Sequence, residues 1–183
     1  MKKAILPLAE GFEEVEAITV IDVLRRAGVE VVIVSVTGDL HVTGSHQITV
    51  KADRLFQPSG YPDAHMIVLP GGMPGAAHLD RHEGLKQLLT EYHHQGKYLA
   101  AICAAPMVLG NLKLLQNKKA TCYPGFEKYL EGAHLSDTGV IHDQNIITGK
   151  GAGYAMAFSL KLAEILSGHE AANTTGRKML YGE

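Results

Sequence analysis

The first 36 residues restrict the fold more than any other stretch. "AILPL", residues 4–8, is a short apolar run that reaches a turn at Gly11. Residues 13–27, "EEVEAITVIDVLRRA", then carry a helical stripe through Ala17, Val20, Ile21 and Leu24. Acidic residues fill the first turn and Arg25 and Arg26 the last, which suits the helix dipole; Gly28 ends the helix. "VEVVIVSV", residues 29–36, is a β-branched run of the kind that is buried on both faces of a parallel sheet. Strand, helix and strand in this order make a βαβ unit, so at least part of the sheet is parallel.

The alternation continues. Residues 40–52 read as a small hairpin or edge region turning at Gly44 and Ser45. "HMIVLP", 65–70, is a buried strand that runs into the loop "GGMPGAA". A helix is expected over 82–95, a strand over 98–102 and a helix from Ala104. Beyond residue 118 come shorter strands, a helical turn near 125–131, a strand at 145–148 and a last long helix from Tyr154 to Leu166. This pattern predicts one α/β domain over residues 1–183, with a mostly parallel central sheet between two helical layers. In such sheets the ligand crevice lies beyond the carboxyl ends of the strands.

Composition narrows the functional classes. The formal net charge is −2, which makes no electrostatic case for nucleic acid or an anionic membrane. No stretch approaches the apolar length of a membrane span, and the early run is broken by Pro7 and stopped at Glu10, too short for a secretory core. Two cysteines, Cys103 and Cys122, do not make a disulfide framework. A reducing, cytoplasmic setting is therefore expected. The first strand–helix loop is acidic and has one glycine, "GKGAGYA" lacks dinucleotide spacing, and there is no P-loop, so no cofactor is expected. His78 and His82 stand four apart but lack the partners of a metal motif; they read as surface residues, and no metal is expected.

Three loops that follow strand ends hold the chemistry: "AEGFEEVE", "PGGMPGAA" and "CAAP". Cys103 sits at a strand-to-helix junction among Ala101, Ala104 and Ala105, as a nucleophile elbow requires, and a helix N-terminus there is expected to lower its pKa. "PGG" reads either as a plain turn or as a loop whose Gly72 amide joins that of Ala104 in an oxyanion hole. Glu13, Glu14 and Glu16 either favour the helix N-terminus or supply a carboxyl with a raised pKa, and a helical wheel does not choose between them. Cys122 lies in a short strand and is assigned no chemistry.

"EGFEEVEA", "VLPGGMPGA" and "AAICAAP", in that order and on those elements, resemble the ThiJ/PfpI superfamily. They are most similar to the branch of the Parkinson-disease-associated protein deglycase and its bacterial relatives. The likeness extends through "IDVLRRAG" and "TGKGAGYAMAFSLKLAEIL". It implies a flavodoxin-like three-layer sandwich and a homodimer. It also implies that Cys103 is the reactive thiol, Glu16 its acidic partner, and Gly72 and Ala104 the oxyanion-hole residues. Three positions depart from the family pattern. Tyr123 in "ATCYPGF" stands where many relatives have a histidine, His46 where close relatives have an arginine, and Ala152 in "GKGAG" where the family has "GPG". Tyr123 and His46 are thus expected pocket residues. A phenol donates hydrogen bonds but is a poor base at neutral pH, which argues against a peptidase-like triad.

The resemblance and the residues together imply a cofactor-independent glyoxalase or deglycase acting on small aldehydes or early glycation adducts through a Cys103 thiolate. A cysteine-based oxidative-stress sensor or chaperone is the alternative, because the same thiol and carboxyl support oxidation. An amidase or peptidase is the weakest reading, for want of the activating base.

Overall fold

The computed structural model describes residues 1–182. The chain runs β1 (Lys3–Leu8), α1 (Glu14–Arg26), β2 (Glu30–Ser35), β3 (His41–Thr43), β4 (Thr49–Lys51), β5 (Arg54–Leu55), β6 (Met66–Leu69) and α2 (Gly75–Arg81). It continues with α3 (Glu83–His94), β7 (Tyr98–Ile102), α4 (Pro106–Asn111), β8 (Lys119–Ala120), β9 (His134–Leu135), β10 (Val140–Asp143), β11 (Ile146–Gly149), α5 (Ala155–Ser167) and α6 (His169–Lys178). A seven-stranded sheet has the order β10-β11-β7-β6-β1-β2-β5. All its pairs are parallel except β10 with β11. This is the flavodoxin-like α/β sandwich expected from the alternation.

The central strands β6, β7 and β11 are buried almost throughout because helices cover both sheet faces. Ile5, Val32, Val34, Ile67, Leu69, Leu99 and Ala101 point toward α2, α3 and α4. Their neighbours Leu6, Leu8, Val31, Ile33, Val68, Ala100 and Ile102 point toward α1, α5 and α6. The order reverses on either side of β1, since β2 flanks it on one edge and β6 on the other. The carboxyl ends of β1, β6 and β7 therefore open onto one crevice.

Three expectations need correction. The glycine-rich stretch after β6 is not all loop, because α2 begins at Gly75. Seven residues are too few to show a period, and a Pro-Gly pair reads as a turn. The helix at Tyr154–Leu166 is not the last, since α6 follows the break at Gly168. The buried face of α6 is Ala172, Thr175 and Gly176, small side chains that leave no apolar stripe to read. The helix after Cys103 starts at Pro106, two residues later than expected, with Ala104 and Ala105 in a turn.

Candidate active site

Cys103 leaves β7 at φ 65, a left-handed backbone conformation that non-glycine residues rarely adopt. Its neighbours hold it there. Its amide donates to the Gly149 carbonyl at 2.9 Å, and its carbonyl accepts from the Tyr123 amide at 2.8 Å. The nearby amides of Ala104 and Gly72 favour the thiolate form of the sulfur.

Glu16 approaches from α1 and is fully buried. Its Oε2 accepts from the Gly71 amide at 2.8 Å, and its Oε1 has no hydrogen-bond partner. Burial is the main force raising this carboxyl to about 7, and the Glu13 charge adds to it; the Gly71 amide and the thiol oppose. The two glycines after β6 have separate reasons to be glycine. A Cβ on Gly71 would stand 2.7 Å from Cys103 Cβ and 2.8 Å from Glu16 Oε2, so thiol and carboxyl occupy the space a side chain would need. Gly72 has φ 86, and a Cβ there would meet the Glu13 amide nitrogen at 2.4 Å.

The thiol itself departs from expectation. Burial, followed by the nearby Glu16 carboxylate, pushes Cys103 up to about 12, against the pull of the Ala104 and Gly72 amides. The helix dipole does not reverse this. The helix α4 has six residues, and Pro106 at its start carries no N–H. The Glu16 contribution vanishes once that carboxyl is protonated, so thiol and acid share one proton's worth of charge.

Tyr123 is half exposed, and its ring lies against Gly151, where a Cβ would be 3.4 Å from the ring. His46 sits in the β3–β4 turn. Its ring Nδ1 is 2.8 Å from Glu14 Oε2 and 3.7 Å from Glu13 Oε1, and its amide donates to Glu14 Oε1 at 2.7 Å. The buried Glu14 carboxylate also lies near the Ser45 hydroxyl and the Ile48 amide. Burial works to raise Glu14, yet hydrogen bonds from the His46 ring and from the backbone amides of Glu14, His46 and Ile48 bring it down to about 2. His46 is raised in return, first by the Glu14 hydrogen bond and then by the charges of Glu13 and Glu14. Glu13, Glu14 and His46 place three possible metal-ligand atoms within 4.8 Å of one another. Donors from His46, Ser45 and Ile48 already occupy the Glu14 carboxylate.

Cys122 is buried in the opposite core layer, and burial pushes it up to about 11. His82 has a role that sequence reasoning missed: its Nδ1 accepts from the Leu85 amide at 3.0 Å and caps α3. His78 Nδ1 lies 3.0 Å from the Glu10 carbonyl oxygen. A surface cleft of about 620 Å³ between α5 and α6 holds none of the thiol-site groups.

The sequence that builds this site matches a family model. The DJ-1/PfpI family model covers residues 2–165. The chain belongs to the DJ-1/PfpI family. Among curated relatives, it is 40% identical to protein DJ-1 homolog B of Arabidopsis thaliana over 173 residues, 93% of this chain. It spans only 40% of that relative's length. It is 34% identical to protein dj-1beta of Drosophila melanogaster, covering 98% of this chain and 97% of that protein. A solved structure of oxidized Toxoplasma gondii DJ-1 superposes with a TM-score of 0.95 at 38% identity, covering 100% of both chains. Among the described residues, no helix is long and apolar enough to cross a membrane.

Proposed function

We propose that this family member is a cofactor-independent glyoxalase or deglycase-type enzyme with Cys103 as nucleophile and Glu16 as proton shuttle. The observation that carries the reading is the fully buried Glu16 carboxyl, raised to about 7 and with one oxygen unpartnered, beside a thiol whose anion the Ala104 and Gly72 amides favour. A carboxyl poised near neutrality exchanges protons in both directions.

With methylglyoxal, the sulfur adds to the aldehyde carbon as the thiol proton passes to the Glu16 carboxylate. A thiol with a raised pKa needs such a base, and Glu16 is in place. Glu16 returns that proton to the new oxyanion, which the Gly72 and Ala104 amides hold meanwhile. The carboxylate then removes the proton from the former aldehyde carbon, and an enediol forms. Protonation of the adjacent carbon gives a lactate thioester. Water cleaves the thioester, releasing lactate and restoring the thiol. The sum is methylglyoxal plus water giving lactate. Early glycation adducts, carbinolamines of the same aldehyde, first lose the amine to regenerate the aldehyde carbon to which the thiol adds.

Product analysis with methylglyoxal and with a glycated amine tests the reading, with free glyoxal controlled in the second case. Cys103→Ser is expected to abolish lactate formation; full retention would overturn the proposal.

Oxidation sensing is a second reading. The protonated Glu16 can donate a hydrogen bond to an oxidised Cys103 sulfur, and a similar solved structure is of an oxidized DJ-1. Intact mass after mild peroxide decides it: absence of a two-oxygen gain on Cys103 removes the sensor. A cytoplasmic homodimer completes the proposal. Exposed Val15, Ile18 and Ile48 offer an apolar surface for pairing, and light scattering measures it.

A further inference from the structure

Acidic charge gathers beside the thiol site, where Glu13 acts on the buried Glu16 carboxyl. Glu13 precedes α1, and its amide donates to the Gly71 carbonyl at 2.9 Å, which fixes it against the double-glycine turn. The next residue of that turn, Gly72, supplies one of the two amides that favour the Cys103 thiolate. The Glu13 side chain is 18% exposed, so its charge is only partly screened by water. The Glu13 carboxylate lies 3.4 Å from the Ser45 hydroxyl and 3.7 Å from His46 Nδ1, but that ring is 2.8 Å from Glu14, which takes its hydrogen bond. Among the described residues, no lysine or arginine forms an ion pair with Glu13, Glu14 or Glu16. Deeper in the site, Glu16 Oε1 is buried without a partner and adds acceptor character beside the sulfur.

We propose that Glu13 is a specificity-determining residue that admits neutral carbonyl compounds to Cys103 and rejects those carrying a carboxylate. The inference rests on the reading of Cys103 as the site's nucleophile. A carboxylate-bearing aldehyde brings a negative charge toward Glu13 in a partly desolvated mouth, and like charges repel more strongly there than in water. An α-oxoaldehyde such as glyoxal carries no such charge. Glyoxylate, nearly the same size, does.

The test uses a matched pair of alkylating probes, so it does not depend on turnover. Iodoacetamide is neutral and iodoacetate is anionic. Each loses iodide as the Cys103 sulfur bonds to the methylene carbon, with the thiol proton released to solvent. Rates at Cys103 are followed by peptide mass, and the ratio of the two is taken relative to 2-mercaptoethanol, a neutral thiol. The ratio cancels any change in the thiolate fraction. We expect a preference for iodoacetamide about tenfold above the reference, falling severalfold in Glu13→Gln. In the unsubstituted protein the preference should also shrink as salt is raised toward 1 M, where the screening length falls to about 3 Å. A ratio equal to the reference, or one that neither salt nor Glu13→Gln moves, would overturn the proposal. If the ratio behaves as expected while methylglyoxal is not turned over, the charge filter stands and the enzymatic reading falls.

Discussion

Glu14 and Glu16 stand two residues apart on α1 and are both buried, yet their acidities are shifted in opposite directions. The helical advance of about 100° per residue separates them by roughly 200° around the axis, so they meet different neighbours. Glu14 faces the β3–β4 hairpin, where the His46 ring and the amides of His46 and Ile48 point at it. Glu16 faces the carboxyl end of the sheet and receives one amide, from Gly71. Burial pushes both upward; the number of donors decides which remains a carboxylate. One residue thus anchors a turn through a firmly held charge, and the other keeps a proton available near neutral pH.

The largest expected effect bears on the available proton. Glu16→Gln removes it, and lactate formation from methylglyoxal should fall by about two to three orders of magnitude, the usual weight of a general acid–base group. Glu14→Gln should leave turnover far less affected, so equal losses in the two variants would erase the contrast.

Stability should move the other way. With Glu16 raised from 4.5 to about 7, the folded protein holds more protons than the unfolded chain between those values. Its stability therefore falls as pH rises through that window, by up to about 3 kcal/mol at one unit per 1.36 kcal/mol. Urea unfolding should show Glu16→Gln more stable than the parent above pH 7, with the two curves converging below pH 4.5.

Glu14 carries the opposite sign. Its acidity is lowered from 4.5 to about 2, so its contribution is complete above 4.5 and is lost as pH falls through about 2. Glu14→Gln should cost about 2 kcal/mol at neutral pH by leaving donors poorly matched, as urea titration would measure. That cost should shrink in acid. A cost that stays constant down to pH 2 would show that shape, rather than charge, matters at this position.

The smallest effect is spectroscopic. The His46 ring should titrate above its ordinary value by NMR, and Glu14→Gln should bring it back toward that value. An unmoved titration would mean that the ring does not sense Glu14.

Much of this architecture was legible in the sequence. The β1–α1–β2 unit, the buried runs of β6 and β7, and the placing of Cys103 at a strand end follow from local periodicity. The elements that escaped are those whose cores are made of small residues or are too short to show a period, namely α2 and α6. The choice of Glu16 came from family resemblance, since a helical wheel treats the three glutamates alike. The lowered thiol pKa was read from an assumed helix start at Ala104, whereas the dipole there is weak and burial prevails.

By itself the sequence determined the β1–α1–β2 unit, the strands β6 and β7, the crevice at their carboxyl ends and the small residues around one cysteine, because side chains a few positions apart encode these features. Only the tertiary structure decided which glutamate keeps its proton and which keeps its charge. The Gly71 amide reaches Glu16 across 55 positions of sequence, and the His46 donors reach Glu14 across 32. An acidity set by such distant donors has no local signature, because folding is what brings them to the carboxyl.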